Sequence, residues 1–384
     1  MKKTYKKPRW QLSRLSDLAA RWLIQMKRKK SPVNEQSQWW DFLFYWTPTL
    51  RTRLDALVQG YYVFSPMQTY IFSHEQIVMW SYSDRLMVSL LLKIIRPLFV
   101  HIISRNCFHL KGPAGVKTAL EQVTKALETN TFRYVIRIDI ASYYASIDHA
   151  ILQAQVASQF NDLRLCRYLN DIITIGIEKN GMISVPNKGI AVRSSLSPFF
   201  GALYLSPLDK AFEFRQGVFY ARFMDDVLIL TETKRQFVAA KKRLRVILAN
   251  LKLKLSPQKT RMGQIKNEFH FLGVKFDSVQ IESYKSQAVK FDSAQTESEK
   301  SQAVTVKIHP RSCRRALDKV RLTQAESGSP EKMQRYLTRW SAWWAKTVPS
   351  LMRADLILAW CQFTRLREPL LRWVGTGLLL GLPP

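Results

Sequence analysis

Two stretches of the chain repeat their apolar residues with the period of a helix. Near the N-terminus, the spacing of Leu15, Leu18 and Trp22 predicts an amphipathic helix. Between residues 234 and 251 an apolar stripe faces a row of Lys and Arg, and its members are Phe237, Ala240, Leu244, Leu248 and Leu251. A one-sided stripe is typical of a helix that packs on a core. Residues 36–130 and 307–373 are also predicted to be mostly helical.

Shorter apolar runs between these helices have the length and composition of strands. They span residues 134–140, 218–224, 227–231 and 269–276. Helices together with strands of this kind predict an α+β protein.

A tandem duplication occupies residues 276–305. Its two copies, which begin at Phe276 and Phe291, are fifteen residues long and share eleven identities. A solenoid needs about three or more stacked repeats, so two polar copies do not predict one. We interpret the duplication as an insertion that lengthens a surface hairpin or loop, and we assign it no chemistry.

The balance of charge points to a polyanionic partner. The chain has 59 Lys and Arg against 29 Asp and Glu, a formal net charge of +30. Nucleic acid would neutralise this excess. A membrane surface is the weaker alternative, because the basic residues are spread along the chain and do not flank an apolar anchor. The basic helix near the N-terminus either contacts phosphates or packs on the body as a solvated leader.

The cysteines indicate a reducing compartment. They lie far apart and form no C-x-x-C pair, which argues against a disulfide framework and against a structural zinc site; they are Cys107, Cys166, Cys313 and Cys361. The basic start of the chain lacks the continuous apolar stretch of a signal peptide. We therefore expect a cytoplasmic protein.

Two adjacent aspartates, Asp225 and Asp226, stand between two apolar strand-like runs. Paired carboxylates at a hairpin tip raise each other's pKa unless a cation lies between them. The alternative is a water-exposed turn, but the large apolar neighbours disfavour it, since turns prefer Gly or Asn. A divalent metal would remove the repulsion.

Asp139 is the expected third carboxylate, because it ends the apolar strand predicted at 134–140. A buried carboxylate without a partner costs several kcal/mol. A metal shared with Asp225 would neutralise the buried carboxylate and remove this cost. Two Mg²⁺ ions about 4 Å apart, held by oxygen ligands, are what phosphoryl transfer to a primer hydroxyl requires.

At these residues the sequence resembles the reverse transcriptase family, in its prokaryotic branch of group II intron, retron and phage-defence enzymes. The segment from Phe223 to Asp226 is similar to the family's aromatic-x-Asp-Asp box. The segment from Asp139 to His149 is similar to the box that carries the first metal aspartate. The resemblance implies a metal-holding set of Asp139, Ile140, Asp225 and Asp226, with two Mg²⁺ ions and Mn²⁺ as a possible substitute.

The resemblance also implies how nucleotides are selected. It implies that Tyr144 excludes a 2′-hydroxyl. It also implies that Lys259 contacts the triphosphate and protonates pyrophosphate. The stretch from Gly189 to Pro198, which includes Ser197, resembles the loop that holds template and incoming base. The turn Phe271-Leu272-Gly273 is similar to the primer grip, and the whole resemblance covers roughly residues 80–275.

Two features depart from the family pattern. The template loop has Val192-Arg193 where Gln-Gly is usual, so Arg193 is a candidate for gripping phosphate instead. No basic finger pair is evident between residues 61 and 80, so Lys111 or Arg105 is the candidate replacement. Phe223, in place of the usual Tyr, completes the predicted nucleotide site.

These observations predict a right-hand polymerase with helical fingers, an antiparallel-sheet palm and a helical thumb. The expected divisions are a basic extension (1–35), fingers (36–130), palm with part of the fingers at about 150–188 (131–275), the insertion (276–305) and thumb (306–384). The expected partners are an RNA template, a DNA or RNA primer, dNTPs and a dedicated structured non-coding RNA, in a mobile element or an antiviral system. RNA-dependent RNA synthesis and a maturase-like RNA-binding role remain open alternatives.

Overall fold

The computed structural model describes residues 8, 10–28, 36–72, 75–192, 194–265, 268–278, 304–308, 310–325 and 330–347. The helices, in chain order, are α1 (Leu12–Arg28), α2 (Gln36–Asp41), α3 (Leu50–Gln59), α4 (Tyr82–Ile95), α5 (Phe99–Ile102), α6 (Gly115–Glu128), α7 (Tyr143–Ser146), α8 (His149–Gln159), α9 (Leu163–Ile173), α10 (Ser197–Tyr204), α11 (Ser206–Phe212), α12 (Lys234–Asn250), α13 (Pro310–Ala325) and α14 (Pro330–Thr347).

The strands, in chain order, are β1 (Met67–Phe72), β2 (Glu75–Met79), β3 (Tyr134–Ile138), β4 (Ile177–Lys179), β5 (Met182–Ser184), β6 (Val218–Phe223), β7 (Asp226–Thr231), β8 (Arg261–Gln264), β9 (Phe269–Phe271), β10 (Val274–Ser278) and β11 (Val304–Ile308). A π-helical turn covers Phe42–Trp46, and short 3₁₀ segments cover Arg96–Leu98, His109–Ala114 and Pro257–Lys259. The mixture of helices and largely antiparallel sheets confirms the α+β class.

The chain divides into two compact units. Unit 1 contains Met1–Leu110, Asp139–Glu213 and Ala240–Gln258, and unit 2 contains Lys111–Ile138, Phe214–Ala239 and Lys259–Pro384. Each unit is therefore built from three separate stretches of sequence.

The core of unit 1 is formed mainly by helices. Helix α1 buries Leu15 and Ala19 and lies near α3 and α4, as its apolar spacing predicts. At the start of α4, the buried carboxylate of Asp84 accepts hydrogen bonds from the Tyr62 hydroxyl (2.9 Å) and the Ser81 hydroxyl (2.7 Å). Burial raises the pKa of Asp84, although these hydrogen bonds oppose the shift.

Unit 1 also contains a sheet that the apolar pattern of the sequence did not predict. Its strand order is β2-β1-β4-β5, with β1 and β4 parallel and the other pairs antiparallel. Residues 36–130 were predicted to be mostly helical, and β1 and β2 are strands that this prediction did not include. The stretch from Met67 to Met79 contains Thr, Tyr, Ile and Val, residues that fit a pleated strand better than a helix.

Unit 2 is built around an antiparallel sheet with strand order β6-β7-β3-β8. Strand β3 lies in the middle, and it pairs with β7 from Tyr134↔Thr231 to Ile138↔Val227. Val135, Ile136 and Ile138 of β3 are buried, as are Val227 to Leu230 of β7. These strands correspond to the predicted runs at 134–140, 218–224 and 227–231.

A second sheet of unit 2, β9-β10-β11, divides the single strand predicted at 269–276. Leu272 and Gly273 both have positive φ (49° and 82°) and connect β9 to β10 as a tight turn. Strand β10 pairs with β11 from Val274↔Ile308 to Ser278↔Val304. The ends of the duplicated segment therefore lie in two paired strands, as expected for an insertion in a hairpin. Residues 279–303 lie outside the described part.

Helices α13 and α14 of unit 2 contact each other. Trp344 is buried and Trp340 packs against Val320, whereas Trp343 is 43% exposed. The predicted helical character is thus present up to Thr347, and the rest of the expected 306–384 thumb lies outside the described residues. Among the helices that the structure describes, none has the length and apolar character needed to cross a membrane.

We expect the ion pair of Asp148 and Lys252 to make stability depend on pH in acid. The Lys252 ammonium (2.6 Å) holds the pKa of Asp148 below 3.8, with help from the backbone amide of Ile151, which Asp148 caps. Because the folded-state pKa is depressed, the stabilisation is present above pH 3.8 and is lost as the pH falls through the folded-state value.

Asn retains the capping ability of Asp but not its charge, so Asp148→Asn isolates the ion pair. Urea unfolding at neutral pH should show a loss below about 1 kcal/mol, since the lysine is largely exposed. The two proteins should converge as the pH is lowered. A difference that persists in strong acid would contradict this assignment.

Candidate active site

The Asp-Asp pair lies at the tip of the β6–β7 hairpin. Phe223 pairs with Asp226, so Met224 and Asp225 are the two residues of the turn. Met224 has φ of 57°, a left-handed conformation that is costly for a residue with a β-carbon. Strain of this kind is found where a site needs a particular backbone geometry. Arg222, which is fully buried, donates to the carbonyl of Met224 at 3.1 Å and supports the turn.

The guanidinium of Arg137 forms a forked ion pair with the second aspartate, Asp226. Arg137 Nε donates to Asp226 Oδ1 at 3.0 Å, and its Nη2 donates to Asp226 Oδ2 at 3.2 Å. The third guanidinium nitrogen, Nη1, donates to the carbonyl of Lys259 at 3.2 Å. The two side chains of the ion pair are about one-fifth exposed, at 21% and 18%. Such forked, charge-assisted pairs fix geometry as well as adding energy.

Further positive charge lies around this ion pair within unit 2. The pKa of His270 is lowered, first because burial disfavours the imidazolium and then because of the cations Lys275, Arg137 and Arg261; Glu268 opposes the shift. His270 is therefore favoured in its neutral form at this end of the unit.

Asp139 directly follows β3. The last residue of that strand, Ile138, pairs with Val227, the neighbour of Asp226. Chain connectivity alone keeps the Cα of Asp139 about 3.8 Å from that of Ile138. The carbonyl of Asp139 accepts from the backbone amide of Ser256 at 2.8 Å, and its side chain is partly buried.

The donors available for a metal are carboxylate and carbonyl oxygens. Of the predicted metal-holding residues, Asp225 and Asp226 lie in unit 2, whereas Asp139 and Ile140, which offers only its backbone carbonyl, lie in unit 1. In the described part of the chain, no three His, Cys, Asp or Glu side chains are grouped closely enough to hold an ion by themselves. This donor set still fits Mg²⁺, which usually keeps several waters and takes one or two carboxylates together with substrate phosphates.

Tyr143 and Tyr144 lie against helix α10 at a glycine. The Tyr143 hydroxyl donates to the carbonyl of Gly201 at 2.5 Å, and the two tyrosine rings are 5.5 Å apart. A β-carbon at position 201 would lie 3.2 Å from Tyr143 Cε1 and 3.3 Å from Tyr144 Cε1. The missing side chain of Gly201 thus makes room for both rings.

The loop that begins at Gly189 is bound to the segment that carries Tyr144. The backbone amide of Gly189 donates to the carbonyl of Ile147 at 2.7 Å, and that of Ile190 donates to the carbonyl of Tyr144 at 3.0 Å. The buried imidazole of His149 donates from Nε2 to the Gly189 carbonyl at 2.6 Å. His149 therefore has a structural role, and the loop and Tyr144 form one hydrogen-bonded assembly.

The other predicted residues of this loop occupy different environments. Ser197 is buried and its hydroxyl donates to the carbonyl of Ala191, so it shapes the loop. Pro198 is partly buried, and its carbonyl accepts from His109 Nε2 at 3.0 Å. Arg193 lies outside the described residues.

Three further predicted residues belong to unit 2. Lys259 is exposed at the end of a 3₁₀ turn, Lys111 is exposed before α6, and Phe223 is partly buried at the end of β6. Sequence reasoning missed Arg137 and Gly201. Arg137 had a visible signal, since it is a lone cation in the apolar run that leads to Asp139. Gly201 had none, because its role depends on a tertiary contact.

Replacing Gly189 by Ala is expected to lower the free energy of unfolding by about 1–3 kcal/mol. Gly189 has φ of 90°, and a β-carbon there would lie 3.3 Å from the carbonyl oxygen of Ala145. Gly181→Ala is the matched control in the same unit, because it has φ of 79° and no atom within 4 Å. Urea unfolding should show the smaller loss for Gly181→Ala. Equal losses would mean that the contact with Ala145 has no energetic weight.

Comparison with known proteins supports an assignment to one family. Residues 74–276, a little over half of the chain, match the reverse transcriptase (RNA-dependent DNA polymerase) family. Protein YkfC of Escherichia coli (strain K12) is 25% identical over 193 residues, which cover 41% of this chain and 50% of that protein. The chain thus spans about half the length of this relative. The matched region includes Asp139, Tyr144 and the Asp225-Asp226 hairpin, so the predicted resemblance is confirmed and the chain belongs to the reverse transcriptase family.

Proposed function

We propose that this protein is an RNA-directed DNA polymerase that extends a primer 3′-hydroxyl with dNTPs on an RNA template. The observation that carries the proposal is the Asp225-Asp226 pair at the strained turn of β6 and β7, beside the strand that leads into Asp139. In a member of this family, that arrangement supplies the carboxylates of a nucleotidyltransferase. The proposed reaction is two-metal phosphoryl transfer.

The carboxylates of Asp139, Asp225 and Asp226 and the carbonyl of Ile140 would hold the ions. When bound, two Mg²⁺ ions supply activation of the primer hydroxyl and neutralisation of the charge on the triphosphate. Two backbone contacts support the proposal: β3, which leads into Asp139, pairs with β7, and the carbonyl of Asp139 accepts from the amide of Ser256. Lys259 is the proposed proton donor to pyrophosphate.

Tyr144 is the proposed selector of deoxynucleotides. Its ring lies next to Gly201, where an added β-carbon would be 3.3 Å from Tyr144 Cε1, and its backbone carbonyl accepts from the Ile190 amide. A ring fixed in this way would exclude a 2′-hydroxyl sterically. Lys111, Phe223, Arg193 and Pro198 remain proposed contacts to nucleotide or template, with Ser197 acting by shaping the loop.

An RNA template and its product duplex are the proposed polyanionic partners. Helices α13 and α14 expose several basic residues that would bind phosphates without reading sequence; they are Arg311, Arg314, Arg315, Lys319, Arg335 and Arg339. A dedicated structured RNA would suit a formal charge of +30. On the family resemblance, we also propose that the protein acts in a mobile element or in an antiviral system.

Asp225→Asn should lower primer extension by about a hundredfold or more, because several kcal/mol of metal-assisted transition-state stabilisation is lost. The assay is incorporation of dNTPs on an RNA template with annealed primer and Mg²⁺. Asp171→Asn is the matched control, since this carboxylate on α9 pairs with Arg167 at the surface and should retain full activity.

The same assay with NTPs tests the alternatives. Efficient NTP incorporation by the unmodified protein would favour RNA-dependent RNA synthesis. Full biological activity of Asp225→Asn would favour a maturase-like binding role.

Tyr144→Ala should reduce the preference for dNTPs over NTPs, measured as the ratio of kcat/KM values. Gly201→Ala should reduce that ratio by a smaller factor, since the added β-carbon would push the ring without removing it. The control is Gly263→Ala, at a position with no atom within 4 Å of the added carbon. An unchanged ratio in Tyr144→Ala would refute the proposed selector.

A further inference from the structure

A cavity of about 360 Å³ lies in unit 1 between the N-terminal helix and three later elements. Its walls come from α1, from the end of β2 and the residue after it, from α4, and from the loop that follows Gly189. We call this space the α1 cavity. The wall residues with aromatic, sulphur, charged or hydroxyl groups include Trp22, Met26, Trp80, Arg85, Ser89 and Ser195. The volume is within the range of roughly 300–1,000 Å³ that is typical of small-molecule sites.

Trp22 of α1 packs against a second aromatic residue beside the cavity. Its ring lies 6.2 Å from that of Phe42, at an interplanar angle of 76°. Phe42 is buried in the π-helical turn, and α1 itself contacts α3 and α4. Trp22 remains only partly buried. A supported and accessible aromatic ring is what stacking on a nucleobase requires.

Arg85 places a positive charge on the wall of the α1 cavity, and none of the described residues that line the cavity is acidic. The guanidinium lies over the ring of Tyr82, 4.9 Å from its centroid, and Nη2 donates to Met79 Sδ at 3.2 Å. Because these contacts fix the charge before a ligand binds, less side-chain entropy is lost on binding. The charge favours a ligand that carries phosphate.

Hydrogen-bonding groups complete the wall. Trp80 is only 5% exposed, and its indole N–H has no hydrogen-bond partner within the part of the chain that the structure describes. A buried donor of this kind is uncommon in native proteins and points to a ligand or a bound water. The hydroxyls of Ser89, on α4, and Ser195, in the loop, share a hydrogen bond at 3.1 Å.

This combination of groups matches a nucleotide better than a simpler ligand. An entirely apolar molecule would bring carbon against the charge of Arg85, which is unfavourable. A bare phosphate would leave the ring of Trp22 and the side chain of Met26 in contact with water. A nucleobase offers flat apolar faces to the ring and hydrogen-bonding edges to the hydroxyls, and its phosphate suits the guanidinium.

We propose that the α1 cavity binds one unpaired nucleobase and that Trp22 stacks on it. The region that matches the family, residues 74–276, includes Trp80, Arg85 and Ser195 but not Trp22. The N-terminal helix therefore adds a substrate contact that the matched region does not contain. The inference rests on the proposed function, and the base belongs either to the template strand or to an incoming nucleotide.

The test uses the full chain and a fluorescent primer annealed to an RNA template with a short 5′ overhang, without dNTPs. One overhang nucleotide at a time is made abasic, and Kd is measured by fluorescence anisotropy. At one position, loss of the base should weaken binding by the unmodified protein about tenfold, as expected for one stacked base. The same abasic template should cause no further loss in Trp22→Ala, because the ring that the base contacts is already absent.

Ile24→Ala is the matched control, since Ile24 lies on the same helix, is 53% exposed and does not line the cavity. It should keep the Kd and the abasic profile of the unmodified protein. Trp22→Phe retains a ring and should keep most of the affinity. In a second arm, the KM for dNTPs is measured in primer extension. A rise of about tenfold in Trp22→Ala, with an unchanged abasic profile, assigns the base to the incoming nucleotide.

Two results would overturn the proposal. One is an unchanged Kd for every template together with an unchanged KM in Trp22→Ala. The other is a pair of losses that add in full at every abasic position with KM unchanged, since Trp22 would then act on the fold and not on the base.

If Trp22→Ala does not fold, as judged by its thermal transition, Ser195→Phe decides. This change adds a ring at an exposed wall residue, so the proposal requires that it abolish the same abasic or KM effect. Failure of the unmodified protein to extend a primer that it binds would count against the proposed function, and the binding test of the cavity would still be valid.

Discussion

The ion pair of Arg137 and Asp226 joins two neighbouring strands of the unit 2 sheet at the hairpin that carries the adjacent aspartates. Asp225 and Asp226 are adjacent in the chain, and Asp139 comes directly after a strand paired with theirs. The antiparallel pairing of β3 with β7 brings one cation, Arg137, onto the same face as Asp226. The fully buried Arg222 supports the turn from within the hairpin. The sheet thus supplies the counter-charge of Asp226 from its own neighbouring strand.

Unit 1 is held together differently, by the close approach of backbone segments at glycines. Gly189 allows its loop to pass next to Ala145, and Gly201 allows two tyrosine rings to lie on α10. Backbone hydrogen bonds from Gly189 and Ile190 then join the loop to the Tyr144 segment. A buried histidine, His149, adds a third link. The selector role proposed for Tyr144 would require such a packed ring, since a mobile aromatic ring would exclude little.

The sequence was most informative where periodicity and chemistry coincide. The strands around Asp139 and the Asp-Asp hairpin were predictable. Carboxylates at the ends of apolar runs fit neither an ordinary buried strand nor an ordinary surface turn, so they drew attention to these segments. The sheet that contains β1 and β4 was not predictable, since β4 is only three residues long and its parallel partner is distant in sequence. The turn at Leu272-Gly273 was recognised as a motif but was still placed within one strand. The contact of Gly201 with two rings depends on tertiary packing, and the fork of Arg137 depends on strand register; no local pattern specifies either.

The hairpin of β10 and β11 makes this chain unusually tolerant of changes in length at one place. The five residues of β10, Val274 to Ser278, recur unchanged at 289–293. Loss of one fifteen-residue unit would therefore leave a strand of identical sequence before the same partner strand. Loop-closure entropy varies only by about 0.6 kcal/mol for each doubling of loop length, so neither gain nor loss of a unit has a large thermodynamic effect. A gene with such a repeat can expand or contract by slippage during replication, and either event would leave the residues that pair as β10 and β11 unchanged in sequence.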